Sequence, residues 1–137
     1  MRMNPTLPGR TIGWALLLAV LAGGCDTGPK LHTVTGTVAY QGQPVAQGII
    51  TFADPAGIAA DVAAPIANGR YTLQSLPGER LVRITAQKET GRILTGAMDA
   101  KYPEVVDLIP ATYNSATTLR RTIEPVPEPQ TIDFDLK

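Results

Sequence analysis

Residues 34–52 read VTGTVAYQGQPVAQGIITF, and residues 68–85 read NGRYTLQSLPGERLVRIT. Apolar and polar side chains alternate in both stretches, and β-branched residues are frequent, which is typical of β-strands. Asn68-Gly69 is the strongest hairpin signal in the chain, because a type I′ turn needs two residues that accept positive φ. The two stretches therefore predict short strands joined by tight turns.

The same alternation recurs along the rest of the chain. The predicted strands cover residues 33–40, 45–52, 62–66, 70–73, 80–88, 117–123 and 131–137, with residues 45–52 as the partner of the first strand. The residues predicted to face inward are Val34, Val38, Tyr40, Ile50, Phe52, Tyr71, Leu73, Val82, Ile84, Ala86, Leu119, Ile123, Ile132, Phe134 and Leu136. Gly36 and Gly48 lie inside strands, which indicates a bulge or a close approach between backbones.

Two segments lack this pattern. Residues 124–130 (EPVPEPQ) carry a proline at every second position, so they predict an extended loop or an edge rather than a central strand. Residues 89–114 contain two glycines and two prolines among short apolar runs. We expect a long connection there, with at most one strand, that crosses one edge of the fold.

About seven short strands with turns between them predict an all-β, antiparallel Greek-key β-sandwich. The domain is expected to cover residues 32–137. The chain has 12 basic and 12 acidic residues, which gives no basic excess for binding nucleic acid. Cys25 is its only cysteine, so no disulfide can form within the chain.

The N-terminus has the layout of an export signal. Residues 1–10 carry two arginines and no acid, and residues 12–22 (IGWALLLAVLA) are apolar. This run fits a signal-peptide core of roughly 7–15 residues and is shorter than the ~20 residues that span a bilayer. We expect residues 1–24 to be a cleaved signal peptide, whose removal takes away Arg2 and Arg10 and leaves the domain mildly acidic.

Gly23-Gly24-Cys25 resembles a bacterial lipobox, although Ala22 stands where a leucine is common. The resemblance implies that Cys25 becomes the mature N-terminus and carries acyl chains such as palmitate. Two or three acyl chains anchor a protein stably, because each buried CH₂ contributes roughly 0.8 kcal/mol. Residues 25–31 would then be a lipidated tether that keeps the domain close to the membrane. The alternatives are an ordinary secretory signal, with Cys25 incidental, and an uncleaved membrane anchor.

The order of the motifs resembles the carboxypeptidase-regulatory-like domains. It comprises Gly-x-Val, Gly-x-Pro-Val, Asn-Gly-x-Tyr-x-Leu and Pro-Gly, within the stretches quoted above. The ending, IPATYNSATTL followed by TIDFDLK, is similar to small lipoproteins of planctomycete-type bacteria. The resemblance implies a transthyretin-like (prealbumin-like) sandwich in the cell envelope, without catalytic residues. Arg80 departs from the pattern, because the family has an aromatic residue after the Pro-Gly turn.

No catalytic residue, metal site or cofactor is predicted. His32 is the only histidine, and a solvated side chain is the simplest interpretation of a histidine at a strand start. A catalytic triad would need His32 with Ser75 or Ser115, and neither serine lies in a Gly-x-Ser-x-Gly elbow. The other polar groups have ordinary structural interpretations: a solvated strand face for Asp133 and Asp135, strand-edge solubility for Arg120 and Arg121, and packing and a turn for Tyr113 and Asn114.

The sequence thus predicts a non-enzymatic lipoprotein, held by its lipid on the periplasmic or surface side of a bacterial membrane. Its sandwich would be a structural or interaction module, with another envelope protein as the expected partner. A carbohydrate- or peptide-binding module is the alternative, and exposed aromatic rings such as Tyr102 or Tyr113 would favour it. The sequence assigns no ligand-binding residues, which are unknown. A hydrolase is the third class, disfavoured because no site is evident.

Overall fold

The computed structural model describes residues 28–137. The predicted signal peptide, Cys25 and the first residues of the predicted tether lie outside this range. The described strands are β1 (His32–Tyr40), β2 (Gln43–Pro44), β3 (Gln47–Ala53), β4 (Val62–Ala67), β5 (Arg70–Ser75), β6 (Gly78–Thr85), β7 (Gln87–Thr95), β8 (Lys101–Asp107), β9 (Arg120–Ile123), β10 (Gln130–Thr131) and β11 (Phe134–Leu136). Two short 3-10 turns cover Ala97–Asp99 and Ala111–Tyr113.

The strands form two layers. One layer has the order β9-β6-β3-β4, and in the other layer β1 pairs with β5 and with β2, β10 and β11. The layers join at the turn between β4 and β5. These two strands pair with each other only through Ala67 and Arg70, next to the turn. Asn68 and Gly69 have φ values of 50° and 72°, so the predicted turn with two positive φ angles is confirmed. The predicted all-β sandwich is confirmed as well.

An aromatic cluster occupies the middle of the core. The rings of Phe52, Tyr71 and Phe134 lie with centroids 6.1–6.4 Å apart in tilted and edge-on arrangements, which suit aromatic quadrupoles. Tyr71 donates a hydrogen bond from its hydroxyl to the carbonyl of Ile132 at 2.7 Å. Burial of this phenol raises its pKa, because the charged phenolate would lose its hydration. Every other residue predicted to face inward is also buried or half-buried.

The two strand glycines mark close backbone approaches, as predicted. A Cβ atom on Gly36 would lie 1.8 Å from the carbonyl oxygen of Ile132, and one on Gly48 would lie 2.5 Å from the carbonyl oxygen of Thr85. Real Cβ atoms cannot come so close to backbone oxygens. Glycine at these positions therefore lets β1 contact the C-terminal segment and lets β3 contact β6.

The predicted pairing of residues 45–52 with the first strand, β1, is wrong. Residues 47–53 pair with β4 and β6, and only Gln43 and Pro44 pair with β1 before the chain crosses to the other layer. The last segment also differs from a simple antiparallel arrangement, because β10 and β11 run parallel to β1. The reason is the path of the preceding loop, residues 124–129. It carries the chain from the end of β9 to the end of the sandwich where β1 begins, so β10 and β11 start beside the start of β1 and run in the same direction.

The predicted long connection at residues 89–114 is wrong in its first two-thirds. Residues 87–107 form an antiparallel hairpin, β7–β8, in which Gln87 is opposite Asp107 and Thr95 is opposite Lys101. Across the described residues, β7 and β8 pair only with each other. The predicted strand from residue 80 accordingly ends at Thr85, and after Ala86 the chain enters the hairpin, which we name the arm.

The sandwich has two distinct ends. His32 at the start of β1 is opposite Ser75 at the end of β5, and Gly78 at the start of β6 is opposite Ile123 at the end of β9. We call this end the tether end, because the chain enters it from Gly28; it also carries the loops 54–61 and 124–129. Strand β6 runs from this end to the other one, where the arm begins.

Candidate binding surface

The arm exposes apolar side chains that the sandwich does not cover. Ile93 is 62% exposed, and Met98 at the tip is fully exposed. Tyr102, Val105 and Val106 are also exposed. Isolated exposed apolar residues are ordinary on protein surfaces, but several of them close together in one element are typical of a contact surface. Five such residues lie within one hairpin of 21 residues, so the arm is the leading candidate for a binding surface.

Strand register divides these side chains between two faces. Ile93 is opposite Pro103, and Val105 lies two residues further along β8, so these three side chains share one face. We call it the apolar face of the arm. Tyr102 is opposite Leu94 and shares the other face with Val106.

Charged groups divide the second face. Arg92 Nη1 lies 3.6 Å from Glu104 Oε1, and Thr90 donates to Glu104 Oε2 at 2.6 Å. These contacts fix the middle of the hairpin where its register shifts between Glu89 and Ile93. An exposed ion pair contributes little to stability, with measured values of about 0–1 kcal/mol. The apolar face carries Glu89 opposite Val105, but Ile93 and Pro103 are paired directly across its middle. This apolar pair makes it the better surface for excluding water against a partner.

The free edges of the arm are poor templates for another strand. Pro103 in β8 has no N–H to donate, and β7 is interrupted by Gly91 at a φ of 83°. Proline, bulges and charged side chains are the devices by which natural proteins prevent edge-to-edge pairing. The side-chain faces of the arm are therefore more suitable for binding than its backbone edges.

A shallow groove of about 450 Å³ lies where the arm leaves the sandwich. Gln47 to Ile49 line one side, and Thr85 to Gln87 with Asp107 line the other. The groove is open to solvent, and Ile49 is exposed beside it. It extends the candidate surface from the arm onto the sandwich.

The predicted solvated position of His32 is wrong. The imidazole is buried, and its Nδ1 lies 2.6 Å from the carbonyl oxygen of Val126, to which it donates. Ser75 is its cross-strand neighbour, but the Ser75 hydroxyl is also buried and donates to the carbonyl of Leu76 at 3.2 Å. Both groups thus bond to loop carbonyls, and this pair stabilises the tether end rather than forming a nucleophile and base.

The remaining candidates from the sequence bond within the fold. Asp133 accepts from the backbone N–H and the hydroxyl of Thr37 at 2.8 and 2.9 Å, and Asp135 lies 3.4 Å from Lys137 Nζ. Tyr113 donates to the carbonyl of Lys137 at 3.2 Å. Asn114 and Ser115 follow Tyr113 directly in the chain, and Asn114 donates to the carbonyl of Ile109 at 3.2 Å. The side chains of Asp133, Asp135, Tyr113 and Asn114 thus each have a polar partner within the fold.

The arginine doublet separates onto two faces. Arg120 Nη1 contacts Glu79 Oε1 at 2.5 Å, whereas the Arg121 guanidinium lies 5.2 Å above the ring of Phe134.

The structure also explains Arg80, which departs from the family pattern. Its side chain is buried on the core side, and its guanidinium donates to the carbonyls of Leu76 and Pro77 at 3.3–3.4 Å. The arginine thus occupies the inward position after the Pro-Gly turn, and the turn itself provides its hydrogen-bond acceptors.

Within residues 28–137, no group of three or more His, Cys, Asp or Glu residues is placed to hold a metal ion. Among these residues, no helix has the length and apolarity needed to cross a bilayer. The sequence did not reveal the arm, and the aromatic and β-branched residues Tyr102, Val105 and Val106 in its second strand were the one signal that could have indicated it.

No family model and no curated protein matches the chain. Among solved structures, it is similar to a DUF3823 family protein from Parabacteroides merdae, at 14% identity and a TM-score of 0.37. The match covers 79% of this chain and 46% of that protein. A 9R-lipoxygenase from Cyanothece matches at 12% identity and a TM-score of 0.33, over 81% of this chain and 17% of the enzyme. Both likenesses are too distant to support an argument about function, and the chain spans less than half of either protein. The resemblance to carboxypeptidase-regulatory-like domains stays a prediction.

Proposed function

We propose that this chain is a bacterial lipoprotein of the cell envelope, anchored through acyl chains on Cys25. Its sandwich is a non-catalytic module that holds the arm toward another envelope protein. The observation that carries this proposal is the position of the arm. Its apolar face begins at the end of the sandwich opposite the N-terminal segment, where a membrane-anchored module would meet a partner.

The non-catalytic part of the proposal rests on the buried polar groups. His32, Ser75 and Arg80 each bond to a backbone carbonyl of a nearby loop. A general base must have a free nitrogen or oxygen within reach of a substrate. These three groups are instead buried and used for structure, which favours a binding module over a hydrolase.

The lipid anchor is tested by the intact mass of the N-terminus. The full chain is produced in a bacterium with lipoprotein processing, beside the Cys25→Ser variant. We expect a mature chain that begins at Cys25 and carries the added mass of a diacylglycerol, found in the membrane fraction. The variant should lack this mass. Recovery of the native chain without acyl groups in the soluble fraction would contradict the proposal.

The partner is tested by site-specific crosslinking in the native envelope. A photo-crosslinking residue is placed at Ile93 on the apolar face, with Ile58 at the tether end as the control. We expect a defined protein adduct from position 93 only. The captured protein is then purified and mixed with the native chain and with the Ile93→Ser, Val105→Ser double variant, which should lose binding. Identical adducts from both positions, or none from either, would oppose this role for the arm.

A peptide- or carbohydrate-binding module is the second candidate, supported by the groove beside Ile49 and by the half-exposed ring of Tyr102. Of the two ligand classes, an extended peptide suits the groove better, because sugar binding usually uses stacked rings. Titration with peptide and oligosaccharide libraries distinguishes this function, since Ile49→Ser would weaken peptide binding without affecting the crosslink from position 93.

A further inference from the structure

The loop between β3 and β4 holds an apolar side chain out into solvent at the tether end. Ile58 is 89% exposed on this loop. The carboxylate of Asp54 accepts backbone N–H groups from Ala56 at 3.0 Å, Ile58 at 3.1 Å and Ala59 at 2.8 Å. Three hydrogen bonds to one carboxylate fix the course of the loop. Ile58 is thus presented by a defined structure and is not merely part of a loose connection.

The pKa of Asp54 agrees with this description. The hydrogen bond from Ala59, followed by that from Ala56, holds the pKa of this carboxyl below its ordinary value. Hydrogen bonds to the charged form stabilise it against protonation. Because the carboxylate remains ionised through the neutral range, the loop keeps its shape there.

Two other apolar residues are exposed at the same end. Leu31 in the N-terminal segment and Val126 in the loop 124–129 are each at least one-third exposed. Nearby charges are partly paired, since Arg83 contacts Asp61 at 3.5 Å and Arg120 contacts Glu79 at 2.5 Å. Glu124 and Glu128 lie on the loop 124–129 and Lys30 on the N-terminal segment, so the charged groups named here include no basic excess. A zwitterionic surface suits this end better than an anionic one.

The route of the chain indicates what this end faces. Six residues separate Cys25 from His32 at the start of β1, so seven Cα–Cα steps connect them. Fully extended, these steps span at most about 25 Å, at 3.3–3.6 Å each. An acylated Cys25 would therefore keep the tether end near the bilayer and raise the local concentration of its apolar residues at the lipid surface.

We propose that Ile58, with Leu31 and Val126 at the same end, contacts a zwitterionic phospholipid surface and seats the sandwich so that the arm begins on the side away from the bilayer. This inference rests on the proposed acylation of Cys25. The acyl chains supply the attachment, and Ile58 defines the orientation. Asp54 is the positioning residue, because it shapes the loop without needing to touch lipid.

The test uses the acylated full chain in phosphatidylcholine and phosphatidylethanolamine vesicles. Ile58→Cys and, as the matched control at the arm tip, Met98→Cys are labelled with a fluorophore. Each label has a unique site because acylation occupies the Cys25 sulfur. We expect brominated lipids to quench the label several-fold more at position 58 than at position 98. Asp54→Ala in the Ile58→Cys chain should reduce this difference, with the fold verified by circular dichroism.

The outcomes separate the two proposals. A chain whose intact mass lacks acyl groups would overturn both the lipoprotein assignment and this inference. An acylated chain with equal quenching at the two positions would overturn the inference alone. Unchanged quenching after Asp54→Ala would remove the positioning role of Asp54 while leaving the contact by Ile58 supported.

Discussion

Strands β1 and β7 are each nine residues long, yet their surroundings differ completely. β1 has partners on both edges and places Val34 and Val38 in the core, whereas β7 pairs only with β8 and is exposed along nearly its whole length. Pairing with a neighbour is therefore enough to define a strand, but burial needs a second layer. The sandwich provides stability, and the arm, which contributes no residue to the core, is available for contact.

The largest expected effect is on the core of the sandwich. Phe52→Ala removes a ring that is completely buried between Tyr71 and Phe134. We expect the free energy of unfolding to fall by about 3–5 kcal/mol, from lost burial and the remaining cavity. The matched change in the arm, Tyr102→Ala, should alter it by less than about 0.5 kcal/mol, as for other surface changes. Urea denaturation of both variants measures the difference, and equal losses would mean that the arm belongs to the same packed unit.

A smaller effect is expected where β1 meets the C-terminal segment. Gly36→Ala places a methyl group against the carbonyl of Ile132, and a fixed backbone cannot move away without breaking strand contacts. We expect a loss of about 1–3 kcal/mol, which is usual for overpacking. Gly96→Ala is the control in the arm, because its new methyl group would meet the ring of Tyr102 at 2.9 Å, and that exposed ring can turn aside. Thermal unfolding that ranks the two variants in the reverse order would contradict the close approach.

The same contrast explains what the sequence could reveal. Residues such as Ile50, Phe52, Tyr71 and Leu73 were predicted as core because one buried face leaves a period of two in the sequence. The arm has no such period, since both of its faces meet solvent, and Pro103 further weakens the strand pattern. The sequence of a hairpin that is exposed on both sides therefore has the pattern expected of an irregular loop.

Long-range contacts account for the other differences. The burial of His32 depends on the carbonyl of Val126, which lies 94 residues away in the sequence. The parallel pairing of β10 and β11 with β1 depends on where the loop 124–129 crosses the tether end. Neither feature has a local signal at the residues concerned, because each is defined by a segment that arrives from elsewhere. The close approach at Gly36 was predictable because a glycine within a strand is itself the signal.

The smallest effect on stability is expected from removing the arm. Gln87 and Asp107 are opposite one another at its base, so their Cα atoms lie close enough for a two-residue turn, at about 4.5–5.5 Å. We propose deleting residues 88–106 and joining these two residues through Asn-Gly, which favours the type I′ geometry that closes such hairpins.

The shortened chain should unfold with nearly the same free energy as the native chain, within about 1 kcal/mol, because the deletion removes no core residue. It should also stay in the membrane fraction and lose the protein contact made through Ile93. Urea denaturation, fractionation and binding to the purified partner measure the three properties. A shortened chain that fails to fold would mean that the arm stabilises the sandwich. Retained binding would mean that the partner contacts the sandwich itself rather than the arm. Loss of binding with stability preserved is the result that only a separate, exposed contact arm explains.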